Sequence, residues 1–131
     1  MIELALIRSL MQKDFYDEHK GSKCPDRLFS KDIRKIKGTL DEAMGKHERN
    51  LSLTELQALF FSDNGTMTSA TKGSYEVLFS KLSKEEPMNN DIAKEVLSKL
   101  FQQMVGEDIA NLGFDYVNGT KSNLEPLRNI L

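Results

Sequence analysis

The sequence predicts an all-α fold, a compact helical domain followed by a protruding helical hairpin arm, and three observations carry that expectation. Apolar residues recur at steps of three and four along most of the chain. Ser52-Leu53-Thr54-Glu55 has the composition of a helix capping box. Asn90 to Val117 keeps a helical period across its whole length, and no stretch alternates apolar and polar residues as a half-buried strand would.

Leu4, Leu6, Ile7, Leu10, Met11 and Phe15 fall on one wide face, which predicts a first helix over residues 3–18, closed before Gly21. Gly21 to Asp26 is a loop, and Leu28-Phe29 ahead of Ser30 looks like an apolar lead-in to an N-cap. Ser30 then opens a helix with Ile33, Ile36, Leu40, Ala43 and Met44 on one side and Lys31, Arg34, Lys35 and Lys46 on the other. After a loop at 45–50, Ser52 caps a short helix carrying Leu53, Leu56, Leu59 and Phe60, which Asp63-Asn64-Gly65 ends. The next helix begins between Thr68 and Ser74, presents Tyr75, Leu78, Phe79 and Leu82 to a core, and stops at Glu85-Glu86-Pro87.

The long stretch opens at the cap residues Asn90 and Asp91. At about 100° per residue, Ile92, Ala93, Val96, Leu97, Leu100 and Met104 form one stripe able to close the core. Past Gly106 the pattern changes. Val105, Ile109, Leu112 and Tyr116 repeat at a 4-3-4 spacing, and Ala110, Phe114 and Val117 make a second row about 140° away. Two rows require two neighbours. Residues 1–104 therefore form the domain core and residues 105–131 an arm, in which Asn123 caps a short apolar run, Leu124, Leu127, Ile130 and Leu131, that starts a return helix. The sequence then reads as cut inside a hairpin, or as completed by another copy; in the alternative, the helix breaks at Gly106 or Gly113 and folds back on its own core. Val105, Ile109, Leu112, Phe114 and Tyr116 are the candidate oligomer or partner interface, since left exposed they would form an apolar patch that soluble proteins seldom tolerate.

At 131 residues the chain is one domain's worth, and 39% hydrophobic with 29% charged residues is ordinary for a globular protein. No apolar run approaches the roughly 18 residues of a membrane span, and Met1-Ile2-Glu3 lacks the basic start of a signal peptide. A cytoplasmic setting, with no membrane partner, is the expectation. A lone Cys24 fits a reducing compartment, and Asn64-Gly65-Thr66 and Asn118-Gly119-Thr120 read as turns rather than glycosylation sites.

No catalytic, metal or cofactor constellation emerges. There is no G-x-x-x-x-G-K-[ST] loop to cradle phosphates. His19 and His47 lie far apart outside any metal spacing and are expected on the solvated surface; Cys24 before Pro25 reads as a loop residue. Asp63-Asn64-Gly65 has its glycine too early for a calcium loop. A net charge of −2 argues against a domain built mainly to grip phosphate backbone. Lys31, Arg34, Lys35 and Lys46 form a basic stripe that reads first as an ordinary solvated helix face, since no aromatic residue alternates with them in sequence. Weak nucleic-acid contact at Lys31, Arg34 and Lys35 is the alternative.

The order of helices and loops resembles the N-terminal domain of DnaB-family replicative helicases, particularly those of tailed phages. The resemblance rests on Leu4-Ala5-Leu6-Ile7-Arg8-Ser9-Leu10 as the entry helix, Leu28-Phe29-Ser30 opening the second, and the short Leu51-Ser52-Leu53-Thr54-Glu55-Leu56 helix. Tyr75 to Leu82 then leads into a long hairpin arm closing at Asn118-Gly119. It covers nearly the whole chain as a pattern, without an invariant motif. A family member continues into a linker helix and a RecA-like ATPase domain, neither of which is in this sequence. The resemblance implies the non-motor collar of a hexameric helicase acting in DNA replication, pairing with copies of itself into a trimer of dimers. It also implies docking of primase or a helicase loader, and contact with DNA only through the full-length protein. Two further classes stand beside it: a small helix-turn-helix-like DNA-binding protein, weakened by the lack of a polar, basic face on Tyr75 to Leu82, and a free-standing helical adaptor.

Overall fold

The computed structural model of the chain describes residues 2–117, with side chains as far as Ala110. Among the described residues there are six α-helices and no strand: α1 Ile2–Leu10, α2 Lys13–His19, α3 Lys31–Lys46, α4 Leu53–Asp63, α5 Ser69–Ser83 and α6 Asn90–Val117. Two single 3-10 turns, Gly21–Lys23 and Asp26–Leu28, join α2 to α3.

α1 is the central rod. Leu4, Ala5, Leu6 and Ile7 are consecutive and all buried, which a helix with only one neighbour could not achieve. It packs against α2, α3, α5 and α6. The continuous first helix expected over residues 3–18 is in fact two. Gln12 is extended at φ −94° and ψ 122°, and the break is held from a distance. The Met11 carbonyl accepts from the Leu51 amide at 2.9 Å, and the Lys13 amide donates to the Asn50 side chain at 2.8 Å. The polar groups freed by the interruption are thus satisfied by the loop before α4.

α3 buries Ile33, Ile36, Leu40, Ala43 and Met44, the face its periodicity predicted, and adds Lys37 to it. Its first turn differs from expectation. The Ser30 hydroxyl makes no cap bond; instead the Glu3 carboxylate of α1 accepts from the Ser30 amide. α4 has the predicted capping box, with the Glu55 amide 3.2 Å from Ser52 Oγ and the Ser52 amide 3.0 Å from Glu55 Oε1. α5 begins at the early end of its expected range, capped by Thr68. Phe60 of α4 meets Tyr75 and Phe79 of α5 with ring centroids 4.8 and 5.4 Å apart, the tilted geometry that aromatic pairs favour.

α6 is capped one residue earlier than Asn90-Asp91 suggests, because Asn89 Oδ1 accepts from the Asp91 amide at 2.9 Å. The helix then runs unbroken through Gly106 and Gly113. Of its expected stripe, Ala93 and Leu97 are buried, and Val96 and Leu100 pack against the core from the side, while Ile92 stays 51% exposed. The proposed return segment, Asn123 to Leu131, lies outside the described residues, as does the turn at Asn118-Gly119. No helix among the described residues is long and apolar enough to cross a membrane.

Candidate functional site

Three places concentrate chemistry or unpartnered surface. The first is α6 itself. Beyond Leu97 none of its described side chains is fully buried as far as Ala110. Arg27, on the second 3-10 turn, reaches across to Asp108 at 2.6 Å, so the tertiary contacts of α6 extend past Met104. Phe101 is 37% exposed and lines an open groove of about 430 Å³ between α2 and α6, together with His19 and Leu97. At about 100° per residue Phe101 lies on the same side of the helix as Val105 and Ile109, which are half-buried. These are the first two members of the predicted interface row. The side chains of Leu112, Phe114 and Tyr116 lie outside the described residues.

The second is the basic stripe. Lys31, Arg34 and Lys35 are all exposed on α3, as the periodicity predicted, whereas Lys46 is drawn off by Glu42 at 3.0 Å. Arg34 donates to the Phe29 carbonyl at 3.1 Å. The Lys35 ammonium lies 5.9 Å from the centre of the Tyr75 ring, whose hydroxyl donates to Asp32 at 3.1 Å. An aromatic ring does therefore neighbour these cations. It comes from α5, forty residues along, and a search of the local sequence could not find it. Lys31, Lys35, Thr71 and Ser74 line an open cleft of about 400 Å³ between α3 and α5.

The third was not expected. Lys37 is 4% exposed, and its ammonium donates to Asp26 at 2.8 Å and Asp41 at 3.0 Å; Asp41 in turn accepts from the Tyr16 hydroxyl at 2.7 Å. Burial works to lower the Lys37 pKa, and the hydrogen bonds from its ammonium to Asp26 and Asp41 outweigh it, so the net shift is upward. Tyr16 is pushed up by burial and by the Asp41 carboxylate. Cys24 beside them is buried, and desolvation raises its thiol to about 11, so at neutral pH it is protonated and a poor nucleophile. The cluster is a polar tie joining α2, the 3-10 turn and α3. The i,i+4 spacing of Lys37 and Asp41 was its sequence signal.

His19 departs from its expected place on the surface. It is buried, its ring centroid 4.4 Å from that of Phe15, with Glu18 3.7 Å away. Burial lowers its pKa. Among the described residues no group of histidine, cysteine and carboxylate side chains is placed to hold a metal ion. No match to a protein family, to a curated protein or to a solved structure was found for this chain.

Proposed function

We propose that this chain is the non-catalytic collar and partner-docking domain of a DnaB-family hexameric replicative helicase. In that role it associates with copies of itself through the α6 arm and receives primase or a helicase loader. The ATP-dependent motor belongs to another part of the parent protein. One observation carries the reading: α6 is 28 residues long, yet among its side chains described as far as Ala110 only Ala93 and Leu97, near its start, are fully buried. As far as Ala110 the remainder presents exposed Phe101 and half-buried Val105 and Ile109 on one side of the helix. The overall charge of −2 favours protein docking over a strong electrostatic grip on DNA. A helix-turn-helix role draws less support, because the outward face of α5 mixes Lys72 and Lys81 with Glu76, Val77 and Ser80 rather than forming a run of cations.

The test is co-elution of the chain with purified cognate primase or loader, beside DNA titration at about 150 mM salt, where non-specific contacts weaken. Stable co-elution with either protein supports docking. Tight DNA binding at that salt, lost on changing Lys31, Arg34 and Lys35 to Glu and with no partner co-eluting, reverses the reading.

A further inference from the structure

We infer that the cleft between α3 and α5 is a weak, salt-sensitive binding site for the phosphodiester backbone of single-stranded nucleic acid, held by Lys31 and Lys35 at the cleft and by Arg34 on the adjoining face of α3. The inference goes beyond partner docking and does not depend on it.

Close clustering sets these cations apart. Lys23, Lys72, Lys81 and Lys84 are likewise exposed without a carboxylate within 4 Å among the described residues, but no three of them share one turn of a helix. Lys46, Arg49, Lys94 and Lys99 each have a carboxylate within 4 Å. Lys31, Arg34 and Lys35 have none among the described residues, although all three are exposed within little more than one turn of α3. The one acidic residue among them, Asp32, is engaged by the Tyr75 hydroxyl at 3.1 Å. Lys35 sits over the Tyr75 ring and so remains near the cleft without being neutralised. Three cations are thus gathered on one side of a chain whose net charge is −2, against a single carboxylate, Asp32, which keeps its charge while accepting from Tyr75. Such a local positive field attracts a polyanion even where the whole molecule does not.

The shape selects the class of polyanion. Lys31 and Lys35 are separated by about 6 Å along the helix axis. They stand at the mouth of a cleft of about 400 Å³ whose other wall carries the Thr71 hydroxyl, the Ser74 hydroxyl, which donates to the Ala70 carbonyl at 3.2 Å, and the half-buried Leu78. A flexible strand can bend a phosphate toward the lysines and lay a sugar or base edge on Leu78. A duplex, being stiff, is confined to the outer surface of α3. Tyr75 is 6% exposed, so its ring supports Lys35 and does not stack on bases. Affinity therefore comes almost wholly from charge, and it must fall steeply with salt.

Three phosphate contacts on a single strand predict a log-log salt slope of about −2, a loss of about twenty-fold between 50 and 200 mM salt. The experiment is fluorescence anisotropy of a labelled oligothymidylate titrated with the whole chain across that range. Lys35→Gln should make the slope shallower by about 0.7. The triple change Lys31→Glu, Arg34→Glu, Lys35→Glu should abolish binding, whereas the charge-matched Lys20→Glu, Lys94→Glu, Lys99→Glu should retain most of it. Circular dichroism checks that each variant is folded. Thr71→Ala should weaken binding only slightly and leave the slope unchanged. The inference is overturned by no anisotropy change at about 20 mM salt, by equal losses in the two triple variants, or by a duplex of equal length binding as well as the single strand.

Discussion

Asp108, on the second half of α6, accepts a hydrogen bond at 2.6 Å from Arg27, a residue 81 positions earlier on the short turn that leads into α3. Its neighbour on that turn, Asp26, holds the buried ammonium of Lys37 at 2.8 Å. Adjacent residues thus connect α6 to the inside of α3. Between Leu97 and Ala110 no side chain of α6 is fully buried, and this polar relay ties that stretch to the domain.

Reversing one charge of that pair should loosen the second half of α6 without unfolding the domain. Arg27 is 57% exposed, so the pair is screened and its share of global stability is small. Hydrogen exchange reads the effect. Arg27→Asp or Asp108→Arg should lower the protection of α6 amides beyond Met104 several-fold, and combining them should restore it. Unchanged protection in both single variants would mean that the pair does not position the helix.

Lys37 predicts an asymmetry. Replacing it with Met leaves Asp26, which is 63% exposed on its side chain, free to rehydrate, and leaves Asp41 with its Tyr16 bond, so the cost should stay near 1 kcal/mol. Asp26→Asn with Asp41→Asn instead strands a buried ammonium. That double change should cost about 3 kcal/mol in urea denaturation at neutral pH. Equal losses would show that the tie acts through packing rather than charge.

Much of this architecture was legible because its signals are local. The Ser52–Glu55 box and the Ile33, Ile36 and Leu40 face depend on residues within one or two turns, and both appear as read. What escaped was imposed from far along the chain. Nothing near Met11 and Gln12 breaks a helix; the break depends on Asn50 and Leu51, and the first turn of α3 on Glu3. Lys37 and His19 were legible in part, as each lies one turn from a partner, Asp41 and Phe15, yet residue type alone assigns both to solvent. On α6 the apolar period of Val105 and Ile109 was legible and both are half-buried; the side chains of Leu112, Phe114 and Tyr116 lie outside the described residues.

Acid should destabilise the fold in two stages. Burial lowers the His19 pKa from 6.5, so the unfolded chain takes up that proton more readily than the folded one. Stability from this group is complete above pH 6.5 and is lost as pH falls below it. Hydrogen bonds from Arg49 and from Ser52 hold Glu55 down at about 2 against an ordinary 4.5. Its contribution is present above pH 4.5 and is lost as pH falls toward 2. Thermal melts across pH should show the upper decline flattened in His19→Gln and the lower one in Glu55→Gln. A decline untouched by its own variant would reassign it to other groups.

The last prediction separates the two halves of α6 by what each is packed against. Leu97 is 3% exposed in the domain core, so Leu97→Ala should cost about 2–3 kcal/mol of stability whatever the assembly state. Ile109 is only half-buried within one chain. If its remaining surface is covered by another copy, Ile109→Glu with Leu112→Glu should leave the circular dichroism of the domain unchanged while light-scattering mass falls to that of a monomer. The 4-3-4 spacing of Val105, Ile109, Leu112 and Tyr116 suits a second helix laid along it. Sedimentation over a wide concentration range makes the comparison quantitative, because a dimer held by this row should dissociate on dilution. A wild-type chain that remains monomeric at the highest concentrations would remove self-association from the proposed role and leave only hetero-partner docking for the row.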